Sequence, residues 1–215
     1  MRLTKFSHSC VRLEHDGAAL LIDPGTVSER DALDGVDAVL ITHEHADHMD
    51  VDALADALGK RPSVEIYTNP DVIGKLGDLA GAATAVQAGD EFTAAGLPVR
   101  AYGGLHAIIH PDLPRVANLA FLVGAADGAN VYHPGDSFDV PTDARVHTLF
   151  VPVSAPWLKI AEAVDFTREV APRRAYALHD GLYNDFGLGL VSNLMGNLGR
   201  TEFARLTPGD RLEVR

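Results

Sequence analysis

The sequence predicts an α/β fold of four layers, an αββα sandwich in which two mixed sheets pack face to face with helices outside. Three observations lead there. The 215 residues are enough for one compact domain with a continuous core. With 47% hydrophobic and 22% charged residues, the composition is that of an ordinary globular chain and not of a disordered one. Along the chain, short strands give way to β-α pairs, then to strands again and to β-α pairs again, and two such halves facing one another make the sandwich. A single domain over residues 1–215 is expected.

Residues 3–8, 10–15 and 18–23 are short runs with apolar residues, the last two joined by the turn signal His15-Asp16-Gly17, and predict an antiparallel meander. Residues 37–42 (DAVLIT) have the continuous apolar character of a buried strand. The following segment, from about residue 50 to 58, places Val51, Leu54, Ala55 and Leu58 at helical spacing. Residues 64–68 predict a strand and 69–79 a helix, with Asn69 as N-cap and Pro70 at its first position. Further strands are expected at 97–106, 116–124, 129–133 and 147–153, with turns at 126–128 and 134–136. Leu158, Ile160, Ala161, Val164 and Val170 mark an amphipathic helix that ends before Pro172. A strand at 173–179, a helix at 188–198 and a closing hairpin at 204–214 complete the order.

Charge and composition exclude several function classes. Lys and Arg number 18 against 30 Asp and Glu, a net charge of −12 that argues against a nucleic-acid binder. No apolar run approaches the roughly 20 residues that span a bilayer, so no membrane association is expected. Polar residues interrupt the first segment too often for a signal-peptide core, and the expected location is cytoplasmic. Cys10 is the only cysteine, which excludes internal disulfides and thiolate-cluster metal sites. Ten histidines, by contrast, are many for this length.

The decisive run is Thr42-His43-Glu44-His45-Ala46-Asp47-His48, between a predicted buried strand and a helix. Three imidazoles and the Asp47 carboxylate so close together cannot all enter an apolar core, because each needs hydrogen-bond partners or a metal. A loop at a strand end can turn His43 and His45 one way and Asp47 and His48 another, supplying two neighbouring cations. Nitrogen and carboxylate ligands suit zinc, manganese or iron better than calcium or magnesium.

This run resembles the HxHxDH signature of the metallo-β-lactamase-fold hydrolases. His106, Asp136 in HPGDS and His179 in YALHDG follow in that family's order, each where a predicted strand runs into a loop. The resemblance covers nearly the whole chain. The opening KFSHSCVRLEHDGAALLIDPG is most similar to the branch that holds ascorbate-phosphate lactonase and many uncharacterised hydrolases, in which a histidine often stands at the position of His8.

The resemblance implies two divalent transition-metal ions, zinc foremost with manganese or iron as alternatives. His43, His45 and His106 would hold the first, Asp47, His48 and His179 the second, and Asp136 would bridge them. It also implies hydrolysis of a small-molecule ester, lactone or phosphoester by a water whose pKa is lowered from 15.7 towards roughly 7 between the cations. Asp47 would orient that water or pass on its proton. His8 and His110 are further candidate catalytic residues, His110 as a substrate contact in the loop before Pro111. His133 is expected in a buried strand position, and His15 and His147 at the surface. Trp157 is a candidate pocket residue, and Arg115 and Lys159 could bind an anionic group. A non-hydrolytic metal-binding or di-iron redox protein, or a nuclease, is the alternative on the same fold, and homo-oligomers are allowed.

Overall fold

A computed structural model describes residues 1–126 and 128–215. The turn expected at 126–128 includes Asp127, which lies outside the described residues. The first sheet contains β1 (Arg2–Lys5), β2 (Val11–His15), β3 (Ala18–Ile22), β4 (Ala38–Leu40), β5 (Glu65–Thr68) and β6 (Ala83–Ala85). The second contains β7 (Glu91–Ala94), β8 (Leu97–Leu105), β9 (Ala117–Gly124), β10 (Asn130–His133), β11 (Thr148–Pro152), β12 (Arg174–Leu178) and β13 (Glu202–Ala204). The last strand, β14 (Arg211–Glu213), returns to the first sheet beside β1.

The strand orders are β14-β1-β2-β3-β4-β5-β6 and β13-β12-β11-β10-β9-β8-β7. Each sheet is mixed in the same way. β14 through β3 pair antiparallel and β3 through β6 parallel. In the second sheet β7 through β10 pair antiparallel and β10 through β13 parallel. β1, β3 and β4 therefore point the same way in one sheet, and β8, β10 and β12 in the other.

Between the sheets lies a core in which Leu13, Leu20, Ile22 and Leu40 meet Phe121, Val131, Phe150 and Leu178. Outside the first sheet packs α1 (Val51–Lys60), whose N-cap Asp50 accepts from Ala53 N–H and whose Ala53 and Leu54 join Val39, Ile41 and Ile66. Outside the second sheet, α3 (Ile160–Val170) and α4 (Asp185–Leu198) bury Val164, Phe166, Val191 and Met195 against Leu149 and Val151. α4 also leaves Phe186, Leu190, Leu194 and Leu198 exposed. No helix among the described residues is long and apolar enough to cross a membrane.

Three local expectations differ from the structure. The helix expected over 69–79 is confined to α2 (Pro70–Ile73), followed by a 3₁₀ segment at Gly77–Ala82, because Gly77 takes a left-handed φ of +56° that a continuous helix cannot accept. β6 and β7 carry no strong apolar alternation and were not expected as strands. The closing hairpin does not form. Thr207 and Asp210 do make a turn, yet β13 pairs with β12 and β14 with β1, so the turn carries the chain between sheets. A local reversal signal does not say which sheet edge each arm will join.

One glycine fixes the approach of the histidine loop. A Cβ on Gly25 would lie 1.9 Å from the backbone oxygen of Asp47, so only glycine lets the chain after β3 pass beneath the 43–48 segment. Gly25→Ala is expected to destabilise the protein by about 2–4 kcal/mol, read as a lowered urea midpoint, since backbone on both sides must shift.

Candidate metal centre

The cluster is built at the C-terminal ends of co-directional strands, where all the expected ligand positions lie together with His8 and an unanticipated Asp23. The first sheet contributes His8 after β1, Asp23 after β3 and His43–His48 after β4. The second contributes His106 after β8, Asp136 after β10 and His179 after β12. The two sets meet because the chain ties the sheets together there: Leu119 N–H donates to Thr42 O at 2.9 Å, and His179 N–H to His8 O at 3.2 Å. His8, Asp23 and His179 all take left-handed φ angles, 60°, 51° and 54°. Such backbone is costly for non-glycine residues and is retained where surrounding contacts over-determine it.

Two groups of ligand-type atoms result. His43, His45, His106 and Asp136 form one, and His8, Asp47, His48 and His179 the other, with the atoms of each group within 4.8 Å of one another. Asp136 stands between them. Its Oδ1 lies 3.2 Å from His48 Nε2, and its Oδ2 lies 3.3 Å from His106 Nε2 and 3.2 Å from His179 Nε2. Asp47 Oδ2 is 3.2 Å from His179 Nε2 and 3.8 Å from His48 Nε2. The structure thus brings together every residue expected to hold metal.

The hydrogen bonds on the far side of each ring decide which nitrogen carries a proton. His48 Nδ1 donates to Asp23 Oδ2 at 2.7 Å, and His106 Nδ1 to Ala107 O at 2.6 Å. His179 Nδ1 donates to Ser154 O. Thr42 Oγ1 donates to Asp23 and so accepts from His43 Nδ1, at 2.9 Å. In neutral rings these bonds leave Nε2 as a lone pair. His45 is turned the other way, its Nδ1 lying 3.1 Å from His43 Nε2. The Nε2 atoms of His48, His106 and His179 and Oδ1 of Asp136 are buried without an aligned hydrogen-bond partner. Four orphaned donor atoms converging on one space are what a cation would satisfy, so the residues present fit two metal ions.

His8 is arranged differently. Its Nδ1 accepts from Gly181 N–H at 3.3 Å, so the proton of the neutral ring sits on Nε2, which donates to Asp47 Oδ2 at 3.0 Å. His8 therefore faces the cluster as a hydrogen-bond donor. His110 is exposed outside the cluster, where its Nδ1 accepts from Asp112 N–H at 3.1 Å. His133 is buried, as expected, and its Nε2 donates to Ser9 O.

Without a cation, protonated imidazoles balance the charge of the ionised carboxylates. Burial opposes the charge of His179, but Asp136 and Asp47 raise its pKa to about 9. His48 is likewise raised well above the ordinary value by Asp136 and Asp23 against the effect of burial. Burial also works against the Asp136 carboxylate, yet His48, His106 and His179 hold it well below the usual range. His43, with burial dominant, is pushed well below its ordinary value and stays neutral.

Asp23 and Asn118 were not anticipated. Asp23 is fully buried, takes Thr42 N–H and Oγ1–H at 2.8 Å each, and fixes His48. Asn118 Oδ1 accepts from Asp136 N–H at 3.0 Å, while its Nδ2 donates to Pro134 O at 3.0 Å, holding the loop that carries Asp136. The only signal for Asp23 was an aspartate before Pro-Gly at a strand end, which a turn explains equally well. Trp157 donates from Nε1 to Asp136 Oδ2 at 3.2 Å.

Residues 2–179 match the family model described as the beta-lactamase superfamily domain. Protein Rv0786c of Mycobacterium tuberculosis is 42% identical over 205 residues, 94% of this chain and 95% of its own length. A UPF0173 metal-dependent hydrolase of Aeropyrum pernix is 28% identical over 212 residues, covering 85% and 83%. Among solved structures, the metallo hydrolase Igni18 of Ignicoccus hospitalis superposes with a TM-score of 0.76 at 21% identity, over 100% of this chain and 99% of its own.

Two outcomes follow from this geometry. Asp23→Ala is expected to weaken metal binding about 10–100-fold, measured by competition with a chromophoric chelator, because His48 loses the partner that orients it. In the cation-free protein, the raised pKa of His179 contributes stability that is complete below its ordinary value of 6.5 and is lost as pH rises through about 9. Urea midpoints should fall over that window; a flat profile would contradict the protonated, carboxylate-paired His179.

Proposed function

The chain belongs to the beta-lactamase superfamily of metal-dependent hydrolases, and on that premise we propose that it cleaves a small ester, lactone or phosphoester with two divalent transition-metal ions, zinc foremost. The observation that carries this reading is Asp136, a single buried carboxylate whose two oxygens face imidazoles of both ligand groups. His43, His45 and His106 would hold one ion and Asp47, His48 and His179 the other, with Asp136 between. When bound, the pair would make a water acidic enough to attack near neutral pH and would polarise the substrate oxygen.

The chain's own residues supply orientation and proton handling. The Asp47 side chain is 35% exposed against 3% for Asp136, so Asp47 faces the opening while Asp136 forms the floor. Asp47 can accept the proton of the attacking water and return it to the leaving group. His8 Nε2–H keeps Asp47 Oδ2 in place, which makes His8 a positioning residue. Trp157 Nε1–H steadies Asp136 by donating to its Oδ2.

Metal content measured by inductively coupled plasma mass spectrometry after dialysis tests the reading. About two equivalents are expected in the wild type and clearly fewer in Asp136→Ala. The wild type reloaded with its own metal should then hydrolyse members of a panel of lactones, esters and phosphodiesters. One equivalent or none, unchanged by the substitution, would overturn the two-ion assignment. Iron as the native metal together with consumption of dioxygen would favour the redox alternative over hydrolysis.

A further inference from the structure

A cavity of about 710 Å³ opens beside the ligand cluster. Ala107, Ser137 and Trp157 line it next to His106 and Asp136. Trp157 is tied to that centre, its ring edge-on to His106 at 5.8 Å and to Phe138 at 5.4 Å. The volume is that of an ordinary small-molecule site.

The outer wall is apolar and left in water. Leu105, Ile108, Ile109 and Leu113 are 41–56% exposed, four large aliphatic side chains within nine residues. Leu105, Ile108 and Ile109 line the cavity directly. Clustered exposure of this kind is unfavourable unless something covers it. The loop has strong reason to be held in place, since Arg115 Nε donates to His106 O at 2.7 Å.

Charge at the cavity is mixed, and the partners sort it. Lys159 lies 3.7 Å from Glu162, so those two largely answer one another. Asp139 also lines the cavity, with its Oδ2 beside Gly103. Arg115 lines the cavity with no carboxylate within 4.0 Å among the described residues, and its backbone contact uses only Nε. The two terminal nitrogens are left to bind an anion, in the paired geometry that suits a carboxylate or phosphate.

We propose that this cavity is the substrate subsite and that it selects amphipathic anions, an aliphatic or aromatic body lying on Ile108, Ile109 and Trp157 with a carboxylate or phosphate on Arg115. This rests on the hydrolase reading for what happens next, since a bound group here would present its ester, lactone or phosphoester bond to the adjoining cluster. Binding itself needs neither metal nor turnover.

Trp157 is the only tryptophan in the chain, so its fluorescence reports on this cavity and on the His106–Asp136 edge of the cluster beside it. Metal-free protein is titrated with octanoate, octyl phosphate, octanol and acetate. Octanoate or octyl phosphate should shift the emission saturably, and the better of the two identifies the head group. Octanol should bind about tenfold or more weakly, for want of the charge-assisted pair with Arg115. Acetate, which has no apolar body to lie on the wall, should give no saturable shift over the concentrations at which octanoate saturates. Arg115→Gln should erase the preference for the anions over octanol, and Ile108→Asp, an exposed position, should abolish binding with the circular dichroism spectrum retained.

No saturable shift with either octyl anion would overturn the proposal. So would acetate matching octanoate, or variants that bind as the wild type does. Failure here would leave metal content and hydrolysis of short substrates untouched, and failure of the hydrolase reading would leave the fluorescence result standing.

Discussion

Asp136 is a carboxylate with almost no contact with water, and the site is organised by the need to compensate its charge. A lone buried anion of this kind would be strongly destabilising, and proteins pair it, protonate it or give it a metal. Here three imidazoles converge on it, His48 from the first sheet and His106 and His179 from the second. The compensation therefore requires both sheets in register. The cross-sheet bonds from Leu119 to Thr42 and from His179 to His8 maintain that register at the same end of the sandwich.

The two sheets repeat one plan of four antiparallel strands followed by three parallel ones, and the repeat places equivalent positions opposite each other. β1 and β8 are second in their sheets, and they deliver His8 and His106. β3 and β10 are fourth, and they deliver Asp23 and Asp136. The equivalents have diverged in chemistry. Asp136 turns both oxygens to the ligand nitrogens, whereas Asp23 lies behind them and grips His48 by its far nitrogen. His106 leaves Nε2 as a lone pair, whereas His8 presents Nε2–H to Asp47. The same ring faces the cluster with a lone pair or with an N–H according to whether its Nδ1 meets a carbonyl or an amide N–H.

Protons and metal ions compete for these positions. The raised pKa values of His48 and His179 express a site that wants positive charge, and the protons that answer it in the free protein must leave when a metal enters. Trp157 adds a neutral donor to Asp136 and a flat apolar surface to the adjoining cavity, which joins the charged floor to the hydrophobic wall of the 105–116 segment.

The sequence by itself determined the α/β class, the order of most elements and the set of His and Asp side chains that the structure gathers into one cluster. Alternation and helical spacing are local physics, and HxHxDH crowds so many imidazoles that its chemistry is legible without a fold. His106, Asp136 and His179 were legible through their order and their places after predicted strands. Only the tertiary structure decided the rest. Asp23 and Asn118 act on residues 25 and 18 positions away, and single Asp or Asn residues at strand ends carry no signal beyond a turn. His110 and His106 look alike in sequence, yet one is exposed and the other buried, because a loop's path is set by what it packs against. The arms of the C-terminal turn joined different sheets for the same reason. Hydrogen bonding across the fold likewise chose the protonated nitrogen of His8, which no spacing along the chain encodes.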